Sequence, residues 1–239
     1  MKKVSMFLAL LFSVTQMWAQ ESKYNRVPII GDQAPSFTAS TTNGTITFPS
    51  DFGRKWKILF SHPADFTPVC STEILELAYL QDDFDKLNVK LLVMSTDSLY
   101  SHVQWKKSLE ELSYKDRTPV KINFPIADDK KYTASKLYGM VNNHGSGSTR
   151  DVRAVFIIDP ENVIQAIVYY PMSVGRNMEE IKRAVIALQT VAEGKYSTPA
   201  NWQQGNDLIL KAKPSASDLK KPENSGIYDV AWYMTFKKQ

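Results

Sequence analysis

Cys70 is the only thiol in the chain, and it lies in Ser61-His62-Pro63-Ala64-Asp65-Phe66-Thr67-Pro68-Val69-Cys70-Ser71-Thr72-Glu73. A residue that precedes proline is pushed out of the α region, so Thr67 is set to cap a helix rather than continue one. Pro68 then takes the first helical position, where a missing N–H removes nothing. Cys70 falls in the first turn, where unpaired N–H groups and the helix dipole favour negative charge. A thiol in that position is biased towards the nucleophilic thiolate. Thr67 and Cys70 are three apart and share a helix face, so the hydroxyl can approach the sulfur or a substrate bound there. Pro63, Phe66 and Pro68 are expected to wall the site against water. A lone cysteine is more often a small buried hydrophobe. The start of a helix is an electrostatic site rather than a packing site, which favours the reactive reading here.

Such a thiol needs a strand to deliver it and a helix to carry it. Trp56–Ser61 is a short apolar run of the kind that forms a buried strand, and Ile74, Leu77, Ala78, Phe84 and Leu87 then mark one face of a helix. Val89–Ser95 lacks polar alternation, as strands covered on both faces do. Ser98–Leu112 reads as a helix with Val103, Leu109 and Leu112 inward, Ile122–Ala127 as a strand and Tyr132–Tyr138 as a short helix. Val152–Ile158 and Val163–Tyr169 are strands joined through Asp159-Pro160-Glu161-Asn162, which has turn chemistry. A last helix starts at the N-cap Asn177, with Glu180 placed to close a capping box, and stops at Gly194. The order predicts an α/β fold with a mixed central sheet. Beyond Gly194, prolines break up the chain. Trp202, Leu208, Tyr228, Val230, Trp232, Tyr233 and Phe236 are too apolar for disorder and must be covered by this domain or a second subunit.

The 239 residues carry 29 Lys+Arg and 25 Asp+Glu, with 43% hydrophobic residues, which suits one large globular domain or one domain plus a smaller appendage. A net charge of +4, scattered along the chain, gives no basis for nucleic-acid binding. One cysteine excludes an internal disulfide, a CxxC pair and a Cys-rich zinc site, and His62, His102 and His144 are too dispersed to make a metal-ligand spacing. No phosphate loop or dinucleotide glycine pattern implies a cofactor. Met1-Lys2-Lys3 followed by the uncharged run Val4–Val14, with Ala19 at its exit, reads as a secretory signal over residues 1–19. That run is shorter than the ~20 apolar residues of a membrane span, and no cysteine follows it to take a lipid anchor. The mature chain is expected to be exported and soluble. A free thiol kept in an exported protein is unusual enough to suggest use.

Pro63-x-x-x-Thr67-x-x-Cys70 resembles the peroxidatic motif of the peroxiredoxins, the AhpC/TSA family, and the longer string SHPADFTPVCSTE resembles its one-cysteine, peroxiredoxin-6-type branch. Arg153, within Val152-Arg153-Ala154-Val155-Phe156, matches the distal strand arginine of that family. Tyr169-Tyr170-Pro171 followed by Gly175-Arg176-Asn177, and Thr198-Pro199-x-x-Trp202, match two later segments. The likeness runs in order from about Ile30 to Trp202. It implies a thioredoxin-like domain over residues 28–194 and a C-terminal dimerisation extension over 195–239. It also implies a thiol peroxidase that reduces hydrogen peroxide and alkyl hydroperoxides through a cysteine sulfenic acid. In that reading Cys70, Thr67, Arg153 and Pro63 form the catalytic set. Glu73 would orient Arg153, Arg176 would add a second arginine layer, and His62 would flank the pocket, hydrogen-bonded to the cysteine or its oxidised form. Arg153 carries weight of its own, because an unpaired charge inside an apolar strand is costly.

Some relatives carry a lipase-like G-x-S-x-G segment ahead of the peroxidatic strand. Here that stretch is Gly53-Arg54-Lys55-Trp56-Lys57, without the serine a nucleophile elbow requires. With Cys70 alone, no internal second thiol can resolve the sulfenic acid. The reductant must be external, a small thiol or a thioredoxin-like protein, and the chain is expected to pair as a homodimer or larger homo-oligomer. A non-catalytic scaffold would have no need of Thr67, Cys70 and Arg153 together, and a disulfide oxidoreductase would need the missing CxxC.

Overall fold

The computed structural model describes residues 26–141, 150–215 and 217–239. The export-signal reading of residues 1–19 and the Gly/Ser patch that begins at His144 lie outside the described residues. The chain opens with an antiparallel pair, β1 (Phe37–Thr41) and β2 (Gly44–Phe48), followed by β3 (Trp56–Ser61), α1 (Pro68–Lys86), β4 (Val89–Ser95) and α2 (Leu99–Leu109). Then come β5 (Ile126–Asp128), α3 (Thr133–Leu137), β6 (Arg153–Ile158), β7 (Ile164–Tyr170) and α4 (Met178–Val191). The strands form one sheet in the order β2-β1-β5-β4-β3-β6-β7, with β3, β4 and β5 parallel and β6 antiparallel to β3. The carboxyl ends of the parallel strands and the amino end of β6 therefore meet along one rim of the sheet.

Alternate residues of the central strands feed two cores. Ile58, Phe60, Leu91, Val93, Val155 and Ile157 pack under α1, α2 and α4, while Leu59, Leu92, Met94, Ala154 and Phe156 face Phe37, Phe48, Ala134 and Tyr138. At about 25 cal/mol per Å² of apolar surface, each Val, Leu, Ile, Met or Phe among them contributes about 1.5–3 kcal/mol of burial free energy. This fixes the rim on which the site is built.

Three sequence expectations are revised. The segment Ile122–Ala127 pairs as a strand only from Ile126, because its earlier donors go to side chains: Ile122 N to Glu110 Oε1 (2.9 Å) and Asn123 N to Gln81 Oε1 (2.9 Å). Pro125 follows and has no N–H to give a ladder. Second, α2 ends at Leu109, and its inward stripe is His102, Trp105 and Leu109, while Val103 and Leu112 are exposed. The i, i+3, i+7 spacing of that stripe leaves Val103 on the flank. Third, Asn177 does cap α4 by accepting from Glu180 N (3.1 Å), but the Glu180 side chain pairs with Arg183 instead of closing a capping box.

After Gly194, which takes φ 79° as a helix stop does, the tail builds a second sheet in the order β10-β11-β9-β8. Its strands are β8 (Tyr196–Ser197), β9 (Leu208–Leu210), β10 (Ile227–Ala231) and β11 (Met234–Lys237). Trp202 and Leu208 are buried against Ala187 of α4, and Tyr228 stacks on Phe236. Val230, Trp232 and Tyr233 remain exposed at the tip of the β10–β11 hairpin, so this domain does not cover them. Among the described residues, no helix is long and apolar enough to cross a membrane.

Candidate active site

The fully buried β3 ends at Ser61 and hands the chain to His62 and Pro63, both buried at the rim. Thr67 is extended (φ −107°, ψ 145°) and Pro68 is the first helical residue of α1, as the proline rule requires. The first helical bond runs from Ser71 N to Thr67 O (2.9 Å), so the N–H groups of Val69 and Cys70 have no acceptor within the helix. The Thr67 hydroxyl does not cap that turn. It donates to the Ala64 carbonyl (2.9 Å), which leaves its oxygen free to accept. Cys70 is buried. Pro63 is buried too, but Phe66 and Pro68 are not walls of the site. Phe66 sits in the left-handed region at φ 54° and turns its ring outwards, 59% exposed.

The amino end of β6 lies beside the carboxyl end of β3, which sets Arg153 against α1. Its Nη1 donates to Cys70 Sγ (3.3 Å) and to Glu73 Oε2 (2.7 Å), and its Nε and Nη2 donate to the Met172 carbonyl (2.9 and 2.7 Å). Glu73, one turn after Cys70, is shared. Arg176, just ahead of α4, donates to Glu73 Oε1 through its backbone N (2.8 Å) and Nε (2.9 Å), and to Oε2 through Nη2 (2.7 Å). Arg176 Nη1 donates to the Ala154 carbonyl (2.8 Å), and its guanidinium lies 3.4 Å over the Phe60 ring. Burial alone would raise the Glu73 carboxyl. The hydrogen bonds and charge of Arg176, with Arg153 behind them, hold it below the usual carboxylate range instead. Two guanidinium groups around one carboxylate leave one positive charge in surplus. An anion at Sγ balances it, and the same surplus favours any negative charge that develops on an atom beside the sulfur.

A second cluster stands on the other side of the loop. His62 Nε2 donates to Asp65 Oδ1 (2.9 Å), and His102 Nδ1 reaches Asp65 Oδ2 (2.9 Å) while its Nε2 donates to the Ala127 carbonyl (3.1 Å). Asp65 N donates to Asp97 Oδ2 (2.8 Å). Burial would raise the Asp65 carboxyl, but the two imidazoles hold it well below its ordinary range. Burial lowers the His62 imidazole against the pull of Asp65, so the ring is neutral near pH 7 and its Nδ1 is a buried acceptor with no partner among the described residues. The structure thus pairs His62 with Asp65 and records no bond from it to Cys70. Ligand-capable atoms of His62, Asp65 and Asp97 lie within 4.8 Å of one another, and hydrogen bonds already join His62 Nε2 to Asp65 and Asp65 N to Asp97. His102 and Asp65 carry no local signal in the sequence, since they meet across 37 positions.

Asp151, two residues ahead of Arg153, is buried, and neither of its carboxylate oxygens has a hydrogen-bond partner among the described residues. The nearby Ser135 hydroxyl is committed to Asp129 Oδ2 (2.5 Å). Burial, with Asp129 and Asp97 adding to it, pushes the Asp151 carboxyl up to about 8. Below about pH 4 both folded and unfolded chains hold this proton. From there to pH 8 the unfolded chain releases it and the folded chain keeps it, so stability falls across that window. Asp151→Asn is expected to remove this slope and raise the unfolding midpoint at pH 8 by about 3–10 °C, with little change near pH 4. Melting curves of parent and variant that coincide at pH 8 would contradict this.

Residues 30–167 match the AhpC/TSA family, and residues 187–225 match the C-terminal domain of 1-Cys peroxiredoxin. A peroxiredoxin of Methanosarcina mazei is 50% identical over 216 residues, which is 89% of this chain and 98% of that one. Among solved structures, the yeast mitochondrial 1-Cys peroxiredoxin superposes with a TM-score of 0.78 at 38% identity, covering 89% of this chain and 100% of that one. A cysteine-to-serine mutant of peroxiredoxin 6 of Arenicola marina superposes with a TM-score of 0.76 at 32% identity, covering 89% and 98%. The β10–β11 hairpin lies beyond the last residue of the C-terminal match.

Proposed function

We propose, from the premise that this chain belongs to the AhpC/TSA family and is a thiol peroxidase of the one-cysteine type with a thioredoxin-like fold, that it reduces hydrogen peroxide and small alkyl hydroperoxides at Cys70 with electrons from an external thiol. The contact of Arg153 Nη1 with Cys70 Sγ, within a cluster that has one positive charge to spare, carries this reading. The thiolate attacks the terminal oxygen of ROOH, the O–O bond breaks, and Cys70 becomes a sulfenic acid. The departing RO⁻ takes a proton and leaves as alcohol, or as water when the substrate is hydrogen peroxide. Arg153 stabilises charge as it passes from sulfur to oxygen, and the Thr67 oxygen is placed to accept from the peroxide O–H.

Regeneration takes two external thiols. The first displaces water from the sulfenic acid to give a mixed disulfide, and the second releases Cys70 and a disulfide product. The yeast relative, described as resolved through glutathione/thioredoxin systems, supports a reductant of that class. Since Cys70 is buried, the first turn of α1 must open before a thiol can reach its sulfur.

Equimolar hydrogen peroxide is expected to consume one thiol per chain and leave a sulfenic acid that dimedone traps. A folded chain whose Cys70 stays unmodified by peroxide would overturn the assignment. Export is supported by the basic start and apolar run ahead of residue 20, and pairing as a homodimer by the apolar tip that this domain leaves uncovered. Cell fractionation, N-terminal sequencing and sedimentation test both. A cytosolic chain that retains Met1, or a strict monomer, would remove the corresponding part.

A further inference from the structure

The loop that carries Cys70 is held from outside itself, and two of its fastenings come from one helix face. His102 of α2 binds the Asp65 carboxylate, and Trp105, three residues on, donates from Nε1 to Ser71 Oγ (3.2 Å). Asp65 lies ahead of the peroxidatic turn, and Ser71 follows Cys70 directly. The two bonds therefore bracket residues 66–70. The Trp105 ring also packs on His62, with centroids 4.9 Å apart. His102 and Trp105 are both buried, and His102 is anchored in turn to the Ala127 carbonyl at the end of β5.

Between the two fastenings the backbone is strained. Phe66 is a bulky residue at φ 54°, a conformation that costs an L-residue free energy relative to the extended or right-handed regions, and its exposed ring gains no burial there. Within residues 66–70 one side-chain bond offsets part of this. Thr67 spends its hydroxyl on Ala64, and Pro68 has no N–H. The closed turn is therefore held against a local preference to relax, and the two bonds from α2 join the Arg153 contact with Cys70 and the Asp97 bond to Asp65 N in opposing it.

We infer that His102 and Trp105 are positioning residues that latch the peroxidatic turn through Asp65 and Ser71, and so set how often the turn opens to the thiol reductant. The inference rests on the proposed two-step cycle. Closed, the turn holds Sγ on Arg153 for the peroxide step. Released, it relieves Phe66 and exposes the sulfur for attack by a thiol. Weakening the latch therefore moves the two half-reactions in opposite directions, which a merely structural role does not do.

The test uses the full chain with two substitutions. Ser71→Ala removes the hydroxyl that accepts from Trp105 and leaves the buried indole in place, and His102→Gln removes the imidazole bridge. Amide hydrogen exchange of residues 66–72 is expected to quicken about tenfold in each variant, with a similar rise in labelling of reduced Cys70 by a neutral maleimide. Reduction of the freshly formed sulfenic acid by glutathione should accelerate while oxidation by hydrogen peroxide slows. Exchange and labelling within twofold of the parent in Ser71→Ala would overturn the latch, and so would equal slowing of both half-reactions. Because that variant preserves the packing, its result stands even if His102→Gln fails to fold. If the parent itself does not react with peroxide, the proposed function fails instead, and the exchange comparison still judges the latch.

Discussion

Cys70→Ser is expected to abolish peroxidase turnover, a loss on the order of a million-fold, as when the nucleophile of a catalytic unit is removed. The serine fits the space of the thiol, so the fold has no reason to change. Its hydroxyl is a weak nucleophile that stays protonated, and oxygen cannot form the sulfenic acid on which regeneration depends. Arg153 would still point at the position, which separates the role of sulfur from that of the charge around it. Steady-state consumption of hydrogen peroxide with excess thiol, set against the uncatalysed rate, gives the comparison. Measurable turnover in the serine variant would mean that the chemistry resides elsewhere in the chain.

Arg153→Ala should slow the reaction of the thiol with peroxide by about 10²–10³-fold, the scale associated with losing one preorganised donor to a developing charge. Charge accounting explains why the effect falls on rate more than on folding. Without Arg153, Glu73 keeps its three bonds to Arg176, so carboxylate and guanidinium remain a neutral buried pair. What disappears is the surplus positive charge at Sγ, along with two donors to the Met172 carbonyl. Lysine at this position should recover only part of the rate, since one ammonium cannot reproduce the planar fork that reaches sulfur, Glu73 and Met172 together. Stopped-flow rates of Cys70 oxidation for parent, alanine and lysine variants test the ordering. Alanine and parent reacting at one rate would remove the assigned role.

Much of the site could be read from short-range rules. Thr67-Pro68 sets the start of α1 because proline restricts the residue before it, and the same rule places Cys70 in the first turn. Arg153 stands out as a charge within an apolar strand. Asp159 and Asn162 mark the β6–β7 turn, where the Asp159 side chain accepts from Glu161 N and Val163 N. What stayed hidden depends on contacts between distant parts of the chain. Phe66 reads as a wall of the pocket, yet its left-handed backbone throws the ring outwards. His102 has no motif around it, because its partner Asp65 belongs to another element. The pairing of Glu73 with Arg176 spans 103 positions and is absent from the sequence reading, in which the family resemblance sets Glu73 to orient Arg153 and gives Arg176 only as a second arginine layer. Val103 and Leu112 mislead for a different reason, since a hydrophobic residue is no sign of burial when a histidine and a tryptophan already fill the inner face of α2.

The division of one carboxylate between two guanidinium groups also constrains how such a chain can drift over generations. Losing Glu73 alone would strand two like charges in a dry interior, and losing Arg176 alone would strip the acid of most of its donors. Glu73 and Arg176 are thus coupled, expected to be kept or discarded together, while Arg153 answers to the reaction more than to the interior.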